Sequence, residues 1–177
     1  MPAMSITERD AALYLRTRLG KDRNLLDAEL DMALRCSRNP ILDLCCGPGI
    51  FLVPLASGHD VRGVDCSPEM LRLAQERAEE QGISIAVQEG DALQFRSSER
   101  FGLVLLLDDT LGTLFPTEAA GLIRRAHDAL AEDGTLLLSA PRTECPEVPE
   151  AMAASWMDCR KPAIQRRRQG IFASRFL

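Results

Sequence analysis

Ile41-Leu42-Asp43-Leu44-Cys45-Cys46-Gly47-Pro48-Gly49 is the stretch on which the fold turns. An apolar run of strand length ends in a glycine-rich turn, so it reads as a buried strand feeding a tight turn. Phe51 to Ser57 follows as a short helix, with Pro54 near its start, where a missing N–H costs little. Glycines at 47 and 49 let a ligand approach the backbone with no Cβ in the way. The free N–H groups and positive dipole end of the helix then suit a carboxylate or phosphate. Many α/β proteins have such a turn, so a plain tight turn is the competing reading.

Working outward, strands and helices alternate. Val61 to Asp65 reads as a second strand. Ser67 caps a helix with Pro68 at its first position, which runs to Gln81 and stops at Gly82. Ile83 to Gln88 is a third strand and Leu103 to Leu107 a fourth. Thr117 to Ala131 is a helix with Ala119, Leu122, Ile123, Ala126 and Leu130 facing inward. Asp133-Gly134 then turns the chain into a fifth strand, Thr135 to Ser139. Upstream, Thr7 caps a helix over Ser5 to Leu19 with Ala11, Leu15 and Leu19 on one face. Leu25 to Leu34 forms a second, with Leu26, Leu30, Ala33 and Leu34 together, and Asn39-Pro40 ends it. This alternation predicts a doubly wound, mostly parallel α/β sheet with helices on both faces, binding ligands beyond the carboxyl ends of its strands. Residues 1–140 thus comprise the N-terminal helices and the α/β core. Residues 141–177 read as an irregular basic tail, a shortened acceptor-side or final-strand segment. Within it a short helix is expected over Glu150 to Trp156, and only Gly170 to Leu177 resembles a strand.

The 177 residues are enough for one domain with a real core, and 46% apolar and 27% charged residues are ordinary for a soluble protein. No run approaches the roughly 20 apolar residues of a membrane span. Met1 to Asp10 has no cationic start before an apolar block, so a cytoplasmic chain is expected. The six cysteines (Cys36, Cys45, Cys46, Cys66, Cys145 and Cys159) include no C-x-x-C pair, so reduced thiols packed as small hydrophobes are expected rather than disulfides or zinc. Residues 160–177 carry +6 within a chain of net charge −5. An acidic body disfavours nucleic acid, and the tail is expected to dock on that body or stay solvated.

Two further strand ends carry chemistry. Asp65 closes the second strand, where a carboxylate can accept both hydroxyls of a ribose. With Ser67 already capping the next helix, Asp65 is left for this task. Gly90-Asp91-Ala92 follows the third strand, where an acid can take an adenine amino group; an ordinary Gly-Asp turn competes. A pyrophosphate site prefers G-x-G-x-x-G, but Leu52 stands at the third glycine, which disfavours a nicotinamide dinucleotide.

Taken together, these motifs resemble those of class I S-adenosylmethionine-dependent methyltransferases. Ile41 to Gly49 is similar to the family's first motif, Val64 to Leu71 to the second and Gly90-Asp91-Ala92 to the third. Arg125 to Ser139 is similar to the segment leading into the fifth strand, and the likeness covers residues 38–140. It implies a Rossmann-like fold and S-adenosyl-L-methionine as cofactor. Cys45, Gly47 and Gly49, with Asp43 in the same motif, would line the methionine part. Asp65, beside Cys66, would hold the ribose, and Met70 would pack on the adenosine. Asp91 would take the adenine amino group, and the Ala92 backbone would meet the ring. Asp108 would lie nearest the sulfonium.

Departures from the family are informative. Gly102 stands where an Asp usually opens the fourth strand, and too few residues follow Pro141 for the usual two strands with a helix between. An exposed apolar edge at the fifth strand, or the tail, would then favour a homodimer. Asp108-Asp109-Thr110 lacks the Asn/Asp-Pro-Pro-aromatic pattern of base and glutamine-amide methyltransferases. A metal held by the two aspartates is disfavoured; His59 and His127 read as surface residues and Trp156 as a packing anchor. Methyl transfer from a sulfonium needs alignment and exclusion of water more than a nucleophile, so the catalytic group stays open, with Asp108 or Asp109 the candidate base. The implied activity is methyl transfer to a small-molecule acceptor, away from any membrane. The alternative is an inactive cofactor-binding module or partner subunit.

Overall fold

The computed structural model describes residues 7–21, 23–141 and 169–175. Helices α1 (Glu8–Lys21) and α2 (Arg23–Arg35) lead into β1 (Ile41–Leu44), α3 (Leu52–Ala56), β2 (Val61–Asp65), α4 (Pro68–Glu80) and β3 (Ala86–Glu89). β4 (Phe101–Leu106), α5 (Pro116–Ala129), β5 (Leu130–Pro141) and β6 (Gln169–Arg175) complete the order. The six strands form one open sheet, β3-β2-β1-β4-β5-β6. All neighbours are parallel except β6, which runs antiparallel to β5. Strand order reverses between β1 and β4, which places the ligand crevice at their carboxyl ends.

Strand periodicity sorts the core into two layers, because successive side chains point to opposite faces. Ile41, Leu103, Leu105 and Leu137 pack with Leu26, Ala33, Leu52 and Leu71 from the α2, α3 and α4 side. Leu42, Leu44, Val104, Leu106, Leu136 and Leu138 pack with Ala119, Leu122 and Ala126 of α5. Both faces of the central strands are therefore dry, and each buried leucine contributes on the order of 2 kcal/mol. Local chemistry agrees with this packing. Ser67 Oγ accepts the Met70 N–H (3.3 Å) at the start of α4, and Thr7 Oγ1 accepts the Asp10 N–H (3.3 Å) ahead of α1. The Phe115 N–H donates to Glu118 (3.0 Å) as α5 begins behind Pro116.

The structure shifts several boundaries. β3 starts at Ala86 rather than Ile83, and it is the exposed edge of the sheet, so little burial extends it. α5 ends at Ala129, and Leu130 already pairs with Phe101. Leu19 and Leu34, expected in the core, are 42% and 47% exposed. On α2 the buried face is Leu26, Glu29 and Ala33, which turns Leu34 outward. Gly102 has a steric reason: a Cβ there would lie 2.5 Å from the Arg38 carbonyl oxygen. The aspartate usual in the resembled family has no room. The free apolar edge expected at β5 is also absent, because β6 pairs with it from Thr135 to Pro141. Of the cysteines, Cys46 is buried as expected but Cys66 is exposed, and both are free thiols. Residues 142–168, with the expected short helix and Trp156, lie outside the described residues, as do Cys145 and Cys159. Among the described residues no helix is long and apolar enough to cross a membrane.

Candidate functional site

The site starts at the tip of β1. Cys45, Gly47 and Gly49 have positive φ (61°, 51° and 72°), so the chain winds tightly as it leaves the strand. At Gly49 a Cβ would stand 3.0 Å from Ala74 and Val53, so glycine lets α3 and α4 close together. At Gly47 a Cβ would meet nothing within 4 Å: here the missing side chain leaves open space against bare backbone.

Asp65 ties this turn to the next strand. One carboxylate oxygen accepts the Gly47 N–H (2.8 Å), the other the Ser67 N–H (2.9 Å). Each oxygen keeps a second lone pair, so the carboxylate can still accept from a ligand. Burial raises its pKa, opposed by the N–H groups of Ser67, Gly47 and Cys66.

Asp43 lies one turn deeper, buried, and its Oδ2 has no hydrogen-bond partner among the described residues. Burial first, and the Asp65 charge second, push its carboxyl up to about 8. Its neutral form is thereby favoured, and among the described residues no cation is paired with it. Burial, then Asp65, also raises the Cys45 thiol, which makes it inert as a nucleophile.

The tip of β4 brings a third carboxylate. Asp108 and Asp109 both have positive φ (57° and 60°), unusual for residues with side chains. Ser139 Oγ on β5 accepts the Asp109 N–H (3.3 Å) and steadies the turn. Asp108 receives the hydroxyl of Tyr14 and pairs with Arg18, both from α1. Two side chains of α1 thus already engage Asp108, which weighs against it as a free base.

A cavity open to solvent lies among these groups, with Tyr14, Asp43, Cys45, Gly47, Asp108 and Thr110 in its wall. Asp65 and Asp91 do not line it. Asp65 stands directly behind the Gly47 N–H, and Asp91 lies farther along the same edge, where its charge still reaches the Cys45 and Cys66 thiols. The strand tips thus form a row rather than one chamber. Asp91 is exposed, and it accepts the Leu93 N–H (2.9 Å) and a Gln94 amide hydrogen (3.1 Å). Met70 and Ala92 are buried at the starts of α4 and of a one-turn helix. His127 is exposed and His59 half-buried.

Sequence reasoning missed Tyr14 and Arg18. Their spacing of four places them on one face of α1, and Tyr14 is the chain's only tyrosine. Nothing local says that this face crosses the tip of β4.

Comparison with known proteins falls on the same segment. A family model described as a methyltransferase domain matches residues 41–134. A ubiquinone biosynthesis O-methyltransferase of Azorhizobium caulinodans is 34% identical over 102 residues, 56% of this chain and 39% of that protein. A demethylmenaquinone methyltransferase of Deinococcus radiodurans is 37% identical over 93 residues, 51% of this chain and 39% of that protein. The chain thus spans about four-tenths of the length of these curated relatives. Among solved structures, the magnesium protoporphyrin IX methyltransferase of Synechocystis PCC 6803 with bound SAM superposes with a TM-score of 0.69 at 21% identity, over 87% of this chain and 79% of that one. A methyltransferase from Clostridium acetobutylicum gives a TM-score of 0.64 at 17% identity, over 75% and 58%. At these identities the structures speak to the shared Rossmann-like fold.

Proposed function

Because the chain belongs to the methyltransferase-domain family, we propose that it binds S-adenosyl-L-methionine at the β1–β4 crevice and transfers its methyl group to a small-molecule acceptor. The observation that carries this reading is the buried Asp43 carboxyl in the cavity wall, whose Oδ2 has no hydrogen-bond partner among the described residues. Such a wall suits a ligand bearing positive charge, and the donor has two cationic centres, its ammonium and its sulfonium. The open space at Gly47 admits a chain against the backbone, while Asp65 and Asp91 stand in order for the ribose and the adenine.

When bound, the donor supplies an already activated methyl group. The residues of this chain have the simpler work of orienting it and excluding water. Asp43 and Asp65 fix the amino-acid arm and sugar, and Leu107 and Phe51 give the cavity apolar wall. The small-molecule relatives, acting on quinone precursors and a porphyrin by their names, support a small acceptor here.

Calorimetry with S-adenosylhomocysteine tests the reading. Micromolar binding is expected, and Asp65→Ala is expected to weaken it by about 2 kcal/mol, the cost of a lost charged acceptor. Equal affinity of the two proteins would remove Asp65 from the site. Binding by wild type with no transfer to any small acceptor would leave a binding module.

A further inference from the structure

We propose that Arg77 is a positioning residue of the donor site: from α4 it anchors a chain of hydrogen bonds that crosses the glycine-rich turn and ends on Asp65. This role rests on the reading of the β1–β4 crevice as the donor site.

The turn has little with which to hold itself. Gly47 and Gly49 have no side chains, and Pro48 has no N–H to give. Glycine also has more backbone freedom to lose than any other residue, so a turn built from two of them gains most from bonds made outside it. Among the described residues two side chains supply such bonds, both from the β2–α4 unit. Asp65, at the end of β2, accepts the Gly47 N–H (2.8 Å). Arg77, in the last turn of α4, donates from Nη1 to the Pro48 carbonyl oxygen (2.6 Å). A cation at a helix C-terminus ordinarily settles beside that helix's own last carbonyls. Arg77 reaches a carbonyl 29 positions back in the chain. Burial lowers its pKa, with Glu80 acting the other way, and a guanidinium drawn out of water needs such an acceptor.

The two contacts are the ends of one chain. The Pro48 carbonyl belongs to the same peptide as the Gly49 N–H, which donates to the Cys46 carbonyl (3.0 Å). That carbonyl shares its peptide with the Gly47 N–H, which meets Asp65. The chain thus runs from guanidinium to carboxylate through two peptides. In each, the oxygen is on the Arg77 side and the N–H on the Asp65 side. Hydrogen bonds to charged groups are stronger than neutral ones, and bonds in series polarise one another. The Cys46 N–H, bonded to the Val64 carbonyl of β2 (3.0 Å), keeps the same turn against that strand. Cys46, Gly47 and Pro48 line the cavity, whereas Arg77 does not. Arg77 therefore acts on a bound donor through the wall it fixes and through the aim of Asp65.

Amide NMR of the ligand-free protein and calorimetry with S-adenosylhomocysteine read the chain and its use separately. Arg77→Met keeps the aliphatic stem and removes the donor. It should move the amide protons of both Gly49 and Gly47 upfield and weaken S-adenosylhomocysteine binding by about tenfold. The Arg77 contact uses one N–H and not the two-pronged fork, so Arg77→Lys should restore affinity to within about threefold of wild type. In an Asp65→Asn background the chain has lost its negative end, and adding Arg77→Met should cost about threefold or less. The remaining amide resonances show whether each variant is folded, and Arg77→Lys carries the test if Arg77→Met is not. A Gly47 resonance unmoved by Arg77→Met, an affinity equal to wild type, or a lysine variant as weak as the methionine one would overturn the role of Arg77 and leave the donor site standing. No binding by wild type would overturn both.

Discussion

Replacing Asp43 by asparagine removes a group whose proton affinity changes on folding, and its effect can be worked through. In the folded chain the carboxyl is pushed up to about 8, against an ordinary value of 3.8. Below about pH 4 both states hold the proton, and the group adds no pH dependence. Between the two values the folded state keeps a proton that the unfolded chain has released. Stability therefore falls as pH rises, by about 1.4 kcal/mol per unit, until the folded carboxyl also ionises near 8. From pH 5 to pH 7 this one group removes about 3 kcal/mol from the wild type. Asp43→Asn has no such slope, and its buried amide adds a pH-independent cost of about 1–3 kcal/mol. The variant should match or trail the wild type at pH 5 and overtake it at pH 7. Urea unfolding at pH 5, 6 and 7 measures the difference, in which the other titrating groups largely cancel. Curves that stay parallel across this range would refute the assignment of Asp43 as a buried, proton-holding acid. The same logic reaches the ligand: a cation beside Asp43 should displace its proton. Calorimetry of S-adenosylhomocysteine in two buffers of different ionisation enthalpy at pH 7 should show proton release from wild type and none from Asp43→Asn.

Two substitutions test the frame that holds the site. Gly102→Ala should destabilise the fold by about 1–3 kcal/mol, because a Cβ 2.5 Å from the Arg38 carbonyl oxygen forces the chain before β1 away from β4; an unchanged melting temperature would show that this approach is not tight. Ser67→Ala should cost about 1 kcal/mol by leaving the Met70 N–H at the start of α4 without its acceptor, measured by chemical denaturation.

Much of the site was legible because its signals are local. The turn at Cys45-Cys46-Gly47-Pro48-Gly49 announces itself by composition, and its positive φ angles are where glycine was expected to matter. Asp65 is singled out by its position at a strand end, and the structure adds that it accepts the Gly47 N–H across 18 residues. Asp108 is marked by its place at the tip of β4, yet nothing near it in the sequence points to Tyr14 or Arg18 as its partners. Leu19 and Leu34 misled for a related reason. Helical spacing says which residues share a face, not how far the body of the protein extends to cover it.

The sequence by itself determined the alternation of strand and helix, the caps and turns, and the row of acidic strand tips. Each depends on neighbours within a few residues, through side-chain period, φ preference and local hydrogen bonds. Only the tertiary structure decided that Tyr14 meets Asp108 across 94 positions, that Asp43 is buried beside Asp65 and that β6 covers the edge of β5. Those facts arise when distant segments are packed together and water is excluded between them, and no local pattern encodes which charges that packing will strand.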